Sequence, residues 1–307
     1  MSFEDQTSIL LHSSGQEQFD HSRLGISRFP TTPGQHIQLL KQDNLWSLPA
    51  SAQYEVLLTS KRFEQSTLRK ALAIQRSGFA YNGFDRIQLT PMHGLSKEWR
   101  PICAGNCERL KHFQGFLWTR DCAHEEKSEL DRLRAAFCGH SGLTEDDLTF
   151  LGDESDDNLF ARLVRGEIPQ WRIWQDDEHI AFLTPFGNTP GAMVIIPRRH
   201  LSSDILGLAE DDFEKLMVAT RTVANLIMRA MECDRVGMFF EGFEIDYAHV
   251  KLAPVLNKAE GSAAVEGQSD EFHDTYPGYL STRLGPGASK EALEDTFNRI
   301  RKYSKDN

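Results

Sequence analysis

The residues best suited to chemistry lie in one short stretch from Phe240 to Pro254, which reads FEGFEIDYAHVKLAP. In a β-strand successive side chains point to opposite faces, so this stretch would place Tyr247, His249 and Lys251 on one face. A phenol, an imidazole and an ammonium group together suit a phosphate site, as hydrogen-bond donor, nucleophile and counter-charge. The same pattern also fits a strand face that is simply solvated, and the three residues alone leave both interpretations open.

The composition is that of a soluble globular protein. Of 307 residues, 40% are hydrophobic and 26% are charged, and no apolar run approaches the roughly 20 residues of a membrane-spanning helix. The start, MSFEDQTSIL, lacks the basic and apolar segments of a secretory signal, so we expect a cytoplasmic protein with no membrane partner. The formal net charge of -11 argues against nucleic-acid binding, while a small anionic ligand in a local pocket stays compatible with it.

Four of the five cysteines fall within one connecting segment. Their odd number and the expected compartment favour free thiols over a disulfide framework. A zinc site is the alternative, because Cys103, Cys107 and Cys122 with His112 or His124 would supply four ligands. The Cys-x-x-x-Cys spacing lacks the paired Cys-x-x-Cys of common structural zinc sites. We therefore predict free thiols, no bound metal and no cofactor.

The chain contains an internal repeat. Three segments of the first half recur in the same order in the second: FPTTPGQHIQLL from Phe29 resembles FGNTPGAMVIIP from Phe186, GFAYNGF from Gly78 resembles GMFFEGF from Gly237, and FQGFLWTR from Phe113 resembles YPGYLSTR from Tyr276. The spacing between partners drifts by only a few residues, as loop insertions produce. We predict two homologous halves.

The first half lacks the central histidine. When the halves are aligned at the prolines that close the stretch, Arg86 stands opposite His249 and Gln88 opposite Lys251. The first half is also shorter just before this point. We therefore expect one active half and one that serves as its structural partner.

Hydrophobic periodicity predicts the main elements. We predict a strongly amphipathic helix over Glu210–Met231 and a weaker one over Ala52–Ile74, strands over His179–Leu183 and Met193–Ile196, a short helix over Asp156–Arg165 and a closing helix over Lys290–Lys302. Each half is then an α+β unit, an antiparallel sheet with packed helices. The boundaries are a domain at 1–138, a small, acidic linker at 139–155 and a domain at 156–307, with a mobile loop at 257–270.

The stretch from Asp156 to Pro254 resembles the histidine triad (HIT) superfamily of nucleotide hydrolases and transferases. It shows, in the family's order, GEIP, an acidic pair, AFL, a proline-rich turn, an apolar strand ending in IP and a histidine, a helix, and the triad itself. The triad reads DYAHVKL here, which is most similar to a bacterial subgroup with a DHAHxKL pattern. The resemblance implies a nucleotidyl-histidine intermediate, formed when the middle histidine, His249, attacks the α-phosphorus.

The resemblance also implies the substrate contacts. The outer triad positions fall on Tyr247 and Lys251, and the ribose-contacting position after AFL falls on Thr184. Dimeric relatives complete each pocket with the partner's C-terminal segment, so a tandem chain resembles such a dimer made covalent. We therefore expect a monomer that forms an intrachain pseudo-dimer, with Arg120 of the first half approaching the site of the second.

The metal site of some relatives is absent from the motif. In zinc-containing relatives the first triad histidine binds metal together with a Cys-x-x-Cys, but here Tyr247 replaces that histidine and the matching segment begins with Asp156 and Asp157. The resemblance therefore implies no zinc in the second half. It leaves a structural role for His200, at the end of IIPRRH.

Three functions remain open. The first is a nucleotide phosphohydrolase or nucleotidyl transferase, with adenine nucleotides or dinucleoside polyphosphates favoured by family habit. The second is a catalytically impaired nucleotide-binding protein, because Tyr247, Thr184 and Phe243 depart from the family pattern. The third is a repeat-built interaction scaffold. Turnover of a small-molecule nucleotide distinguishes the first from the other two.

Overall fold

The computed structural model describes residues 44–96, 98–101, 107, 109–256 and 272–304, together with the backbone of three strands nearer the N-terminus. The strands are β1 Ser8–Leu11, β2 Arg23–Ser27, β3 Ile37–Leu40, β4 Ser77–Tyr81, β5 Arg86–Pro91, β6 Trp171–Gln175, β7 His179–Leu183, β8 Met193–Pro197, β9 Val236–Phe240 and β10 Val250–Pro254. The helices are α1 Ala50–Phe63, α2 Arg69–Leu72, α3 Lys127–Ser141, α4 Leu159–Val164, α5 Glu210–Ala230 and α6 Lys290–Ser304.

The chain forms two compact units whose limits differ from the predicted ones. Unit 1 comprises Met1–Cys103, Gly115–Trp118 and Val265–Asn307, and unit 2 comprises Ala104–Gln114 and Thr119–Ala264. Residues 265–307, which follow the histidine stretch of the second half, therefore belong to unit 1. Most of residues 104–155, which follow the matching stretch of the first half, belong to unit 2. The division predicted at residues 138 and 156 does not separate these units.

Unit 1 is an antiparallel sheet with packed helices. Its strand order is β1-β2-β3-β5-β4. Helices α1 and α2 are joined by a π-helical turn over Glu64–Leu68, so one nearly continuous helical segment fills the span predicted as Ala52–Ile74. The inward-facing residues Leu57, Leu68, Phe79 and Leu89 are each at most 1% exposed and form part of the core of this unit.

Unit 2 is likewise built from antiparallel strands with packed helices. Its strand order is β9-β10-β8-β7-β6, and α5 packs on it. Apolar residues recur every three or four positions along α5, and three acidic residues occupy its first turn, where the helix dipole favours negative charge. The α+β class predicted for each half is therefore confirmed, and the predicted helix over Glu210–Met231 is observed to within one residue.

The repeat is visible in the register of two hairpins. In unit 1, β4 pairs with β5 so that Ser77 faces Pro91, and in unit 2, β9 pairs with β10 so that Val236 faces Pro254. The same register places Arg86 at the position of His249 and Gln88 at that of Lys251. In unit 1 the connection is short because the Asn82 side chain accepts hydrogen bonds from three consecutive backbone amides, of Phe84, Asp85 and Arg86, and closes the turn.

The stretch predicted as a linker, residues 139–155, is packed into unit 2. The fully buried guanidinium groups of Arg172 and Arg198 both donate to the carbonyl of Asp147, and Arg198 also donates to the carbonyl of Thr149 at 3.1 Å. Phe150 is 7% exposed and joins the hydrophobic core. The acidic, glycine-containing composition suggested a solvated segment, but two internal cations satisfy its carbonyl groups instead.

The cysteines correct a second prediction. Cys107 and Cys122 form a disulfide in unit 2, where free thiols were expected. Cys138 and Cys233 are free, and Cys103 lies outside the described residues. In the described part of the chain no three His, Cys, Asp or Glu side chains are arranged to hold a metal ion.

Two further observations concern predicted segments. No helix among the described residues is long and apolar enough to cross a membrane. The predicted mobile loop at 257–270 and most of the repeat segment that begins at Phe29 lie outside the described residues. How the two units are arranged as a pseudo-dimer stays a prediction.

Candidate functional site

His249 lies in unit 2 immediately before β10. Its Nδ1 is 2.7 Å from the carbonyl oxygen of Tyr247, only two residues away. A carbonyl can only accept a hydrogen bond, so Nδ1 carries the proton and donates. In the neutral ring this leaves an unprotonated lone pair on Nε2, the arrangement that a nucleophilic histidine requires.

The surroundings of His249 keep the ring neutral. The residue is 5% exposed, and its ring contacts Phe160 edge-on at 5.1 Å between centroids. Burial, reinforced by the positive charge of Lys251, lowers the pKa of His249 to about 4, although the hydrogen bond to Tyr247 opposes the shift. The imidazole is therefore unprotonated near neutral pH.

Tyr247 does not present its hydroxyl to the site, contrary to the sequence-based expectation. Its side chain is fully buried in the hydrophobic cluster that also contains Phe160 and Phe182, and its hydroxyl donates to the carbonyl of Pro197 at 2.8 Å. Burial raises the pKa of the phenol, so it remains a donor. The contribution of Tyr247 to the site is its backbone carbonyl, which orients His249.

Lys251 is held by a carboxylate that the sequence analysis did not single out. Its Nζ forms an ion pair with Glu241, which is 7% exposed and also accepts a hydrogen bond from the Thr119 hydroxyl at 2.7 Å. Burial opposes the charged form of Lys251, but the negative charges of Glu241 and Asp121 outweigh it and raise the pKa. The lysine is thus a fixed, fully protonated cation.

The charge near Lys251 is predominantly negative. Besides Glu241, the carboxylates of Asp121 and Glu244 act on the lysine electrostatically. Glu241 directly follows β9, whose Phe239 pairs with Lys251, and its negative charge also acts on His249. The hairpin register is the signal from which Glu241 could have been found, since the repeat already aligns β9 with β4 and β10 with β5.

Two predicted contact residues occupy neighbouring loops of unit 2. Thr184 follows β7, and its hydroxyl accepts a hydrogen bond from the Phe186 amide at 3.3 Å, within a turn. Arg120 lies between Thr119 and Asp121, and its carbonyl accepts from the Asn188 side chain at 3.0 Å. The structure thus places Arg120 in unit 2 with His249, although the sequence analysis assigned it to the first half, and its predicted approach to the site stays a prediction.

Gly242 allows the chain to pass close to His249. Its φ of 60° lies in the left-handed region that favours glycine. A Cβ at this position would lie 2.8 Å from the carbonyl oxygen of Ser203 and 3.5 Å from Cε1 of His249. The glycine is therefore required by its φ and by the close approach of the Ser203 carbonyl, whereas the imidazole would be at an ordinary van der Waals distance.

Comparison with known proteins gives partial matches to HIT-like proteins. An uncharacterized HIT-like protein of Saccharolobus solfataricus is 28% identical over 105 residues, which cover 33% of this chain and 75% of that protein. A 13.1 kDa HIT-like protein of Mesomycoplasma hyorhinis is 28% identical over 68 residues, which cover 22% of this chain and 60% of that protein. No family model matches the chain.

Solved structures give similar matches. A HIT-like protein involved in cell-cycle regulation from Bartonella henselae aligns with 49% of this chain and 99% of its own, with a TM-score of 0.32 and 22% identity. A GalT-like protein from Arabidopsis thaliana aligns with 83% of this chain and 81% of its own, with a TM-score of 0.49 and 10% identity. The motif order from Asp156 to Pro254 and the partial sequence matches make the chain similar to HIT-like proteins over this stretch.

Proposed function

We propose that the chain is a nucleotide hydrolase or nucleotidyl transferase that acts at the α-phosphate through a nucleotidyl-histidine at His249. One observation carries the proposal: Nδ1 of His249 donates to the Tyr247 carbonyl, which leaves the Nε2 lone pair free in a ring whose pKa is about 4. The names of the HIT-like relatives and the motif order support the same chemistry.

The reaction has two displacements. Nε2 of His249 attacks the α-phosphorus, a nitrogen–phosphorus bond forms, and the bond from phosphorus to the leaving group breaks. Nδ1 keeps its proton and its hydrogen bond to Tyr247 throughout, so the carbonyl stabilises the positive charge that develops on the ring. Water or a second acceptor then attacks phosphorus and releases the histidine.

Lys251 is the group that we propose balances the negative charge of the phosphate. It lies two residues beyond His249 on the same sheet face, and its ammonium group remains protonated beside Glu241. Because Glu241 already accepts from it, Lys251 offers the phosphate only its remaining N–H donors. Thr184 and Arg120 are the proposed contacts to the rest of the nucleotide.

The test is turnover of defined substrates. The chain is incubated with adenine dinucleoside polyphosphates and adenosine phosphoramidates, and the products and the mass of the denatured protein are measured. We expect nucleotide release, a nucleotide adduct on the protein, and loss of both in His249→Ala. His140→Ala is the matched control, because His140 is an exposed histidine of α3 whose Nδ1 bonds the carbonyl of Ala136 in the same helix.

A non-catalytic nucleotide-binding protein is the second candidate. The observation that favours it is the pairing of Lys251 with Glu241, together with the burial of the Tyr247 hydroxyl, because both reduce the donors available to a phosphate. Binding of a nucleotide without turnover or adduct, and equal binding by His249→Ala, would select this candidate. Activity in His249→Ala within tenfold of the unmodified chain would exclude His249 as the nucleophile.

A further inference from the structure

The loop that follows β8, residues 200–203, forms hydrogen bonds with the residues just before His249. The carbonyl of Leu201 accepts from the amide of Ala248 at 2.8 Å. The amide and hydroxyl of Ser203 donate to Oδ1 of Asp246 at 3.1 and 2.9 Å. His200 donates through Nε2 to the carbonyl of Asp246 at 2.6 Å. We call residues 200–203 the clamp loop.

Residues just before α4 bind the other side of the same backbone. Nδ1 of His200 lies 2.7 Å from Oδ2 of Asp156, and the His200 ring stacks on the ring of Tyr247 at 4.8 Å and 21°. Asn158, the residue that caps α4, donates to the carbonyl of Asp246 at 3.0 Å. The carbonyl of Asp246 therefore accepts from two directions, one from the clamp loop and one from the start of α4.

These contacts fix two successive peptide planes. The first plane contains the carbonyl of Asp246 and the amide of Tyr247, and the second contains the carbonyl of Tyr247 and the amide of Ala248. The first is held by His200 and Asn158, and the second by Leu201. A peptide plane held through its N–H cannot rotate its C=O. The carbonyl that accepts from Nδ1 of His249 is thus fixed in direction by residues that do not touch the imidazole.

We propose that His200, Ser203 and Asp246 are positioning residues for His249. They fix the Asp246 peptide plane and the clamp loop, whose Leu201 carbonyl holds the peptide plane of the Tyr247 carbonyl, and so keep the proton of the imidazole on Nδ1 and the lone pair on Nε2. The inference rests on the proposed function for its catalytic consequence, but the tautomer of His249 is measurable without any substrate. The role differs from a purely structural one because it predicts a change in the nucleophile itself and not only in stability.

The test is the protonation pattern of the imidazole by long-range proton–nitrogen correlation NMR. The His249 signals are assigned by their absence in His249→Asn. In the unmodified chain we expect Nδ1 protonated and Nε2 bare. In His200→Ala and Asp246→Ala we expect a mixture with the Nε2-protonated form, while His200→Gln, which keeps an N–H donor for the Asp246 carbonyl, restores the original pattern in part. His140→Ala controls for loss of a histidine elsewhere in unit 2.

Measurement of kcat and KM is a second test of the positioning role. Misdirecting the nucleophile slows the chemical step more than it weakens binding, so kcat falls about 10- to 100-fold in His200→Ala and Asp246→Ala while KM stays within about twofold. An unchanged Nδ1-protonated ring in both variants, when folded, overturns the proposal. If either variant unfolds, Ser203→Ala, which removes the hydroxyl that donates to Asp246, is decisive: an unaltered tautomer with an unaltered rate also overturns the proposal. Absence of turnover in every sample refutes the proposed function, while the tautomer still decides the positioning role.

Discussion

The imidazole of His249 has an unusual environment for a residue expected to meet an anion, and its protonation is directly measurable. Its pKa of about 4 lies below the ordinary 6.5 because burial disfavours the charged ring, and Lys251 adds to the effect. We predict that the His249 signals titrate near pH 4, and that kcat/KM shows no histidine limb between pH 6 and 8. Titration near pH 6.5 would contradict the described burial.

The lowered pKa of His249 also makes the free energy of unfolding depend on pH, and it determines the direction of that dependence. Between about pH 4 and 6.5 the unfolded chain binds a proton at this residue that the folded chain excludes. The free energy of unfolding therefore falls as pH falls through that range and is fully retained above it. In His249→Asn the decrease in melting temperature from pH 7 to pH 5 should be smaller than in the unmodified chain, with His140→Ala as the matched comparison.

The ion pair of Lys251 with Glu241 predicts that removing the lysine alone destabilises the chain more than removing both charges. Lys251→Met leaves the carboxylate of Glu241, which is 7% exposed, without its cation, and this should lower the free energy of unfolding by about 1–3 kcal/mol. Adding Glu241→Gln removes the unpaired charge, so the double variant should be more stable than Lys251→Met alone. Denaturant titration of the three proteins measures the difference; a double variant that is less stable than both single ones would contradict it.

At the residue level, the sequence predicts which residue carries the chemistry better than it predicts the partners. The rings of Tyr247 and His249 both contact the ring of Phe160, but the Tyr247 hydroxyl donates to the carbonyl of Pro197 and not to the site. Strand alternation predicts where a side chain lies and not which acceptor its polar atom finds. Contacts such as Glu241 with Lys251 depend on hairpin register, which a single stretch of sequence does not contain.

Among the elements, the β9–β10 connection depends on one backbone position. Gly242→Ala adds a methyl group 2.8 Å from the carbonyl oxygen of Ser203. It also places an alanine at a φ of 60°, where the backbone of residues other than glycine is strained. We expect a loss of about 1–3 kcal/mol in stability and a drop in kcat, because the displaced backbone abuts His249. Gly139→Ala is the control: a Cβ there meets nothing within 4 Å, and within α3 alanine should stabilise by about 0.5–1 kcal/mol. Equal stability changes in the two variants would contradict the steric argument.

The elements that the sequence predicts best have a clear apolar signal. Helix α5 has buried residues at helical spacing, and the strands β7 and β8 are short apolar runs that are buried along their whole length, so all three are observed where the pattern placed them. Helix α3 was missed, since only Leu130, Leu133 and Phe137 of its 15 residues are buried and most of its other side chains are polar or small. The following stretch was taken for a linker because composition does not show that Arg172 and Arg198 bind its carbonyl groups.

The whole molecule is organised by segments that the repeat does not delimit. Unit 2 begins near residue 104 and takes in α3, whose buried residues pack against β6 and α5. It also takes in the disulfide between Cys107 and Cys122 and the ion pair of Arg109 with Glu125 at 2.8 Å. Arg109 donates to the carbonyl of Gly187 as well, so the start of unit 2 is bound to the turn after β7.

This organisation predicts which fragments fold. A fragment of residues 104–264 keeps α3, Phe150 and the disulfide, so we expect a cooperative thermal transition and dispersed NMR signals. A fragment of residues 156–307 follows the repeat instead. It exposes the surfaces of β6 and α5 that α3 covers, and it also carries residues 265–304, which belong to unit 1. We expect it to lack a cooperative transition and to bind a hydrophobic dye. Equal cooperativity of the two fragments at matched concentration would show that the repeat, and not the compact unit, sets the folding boundary.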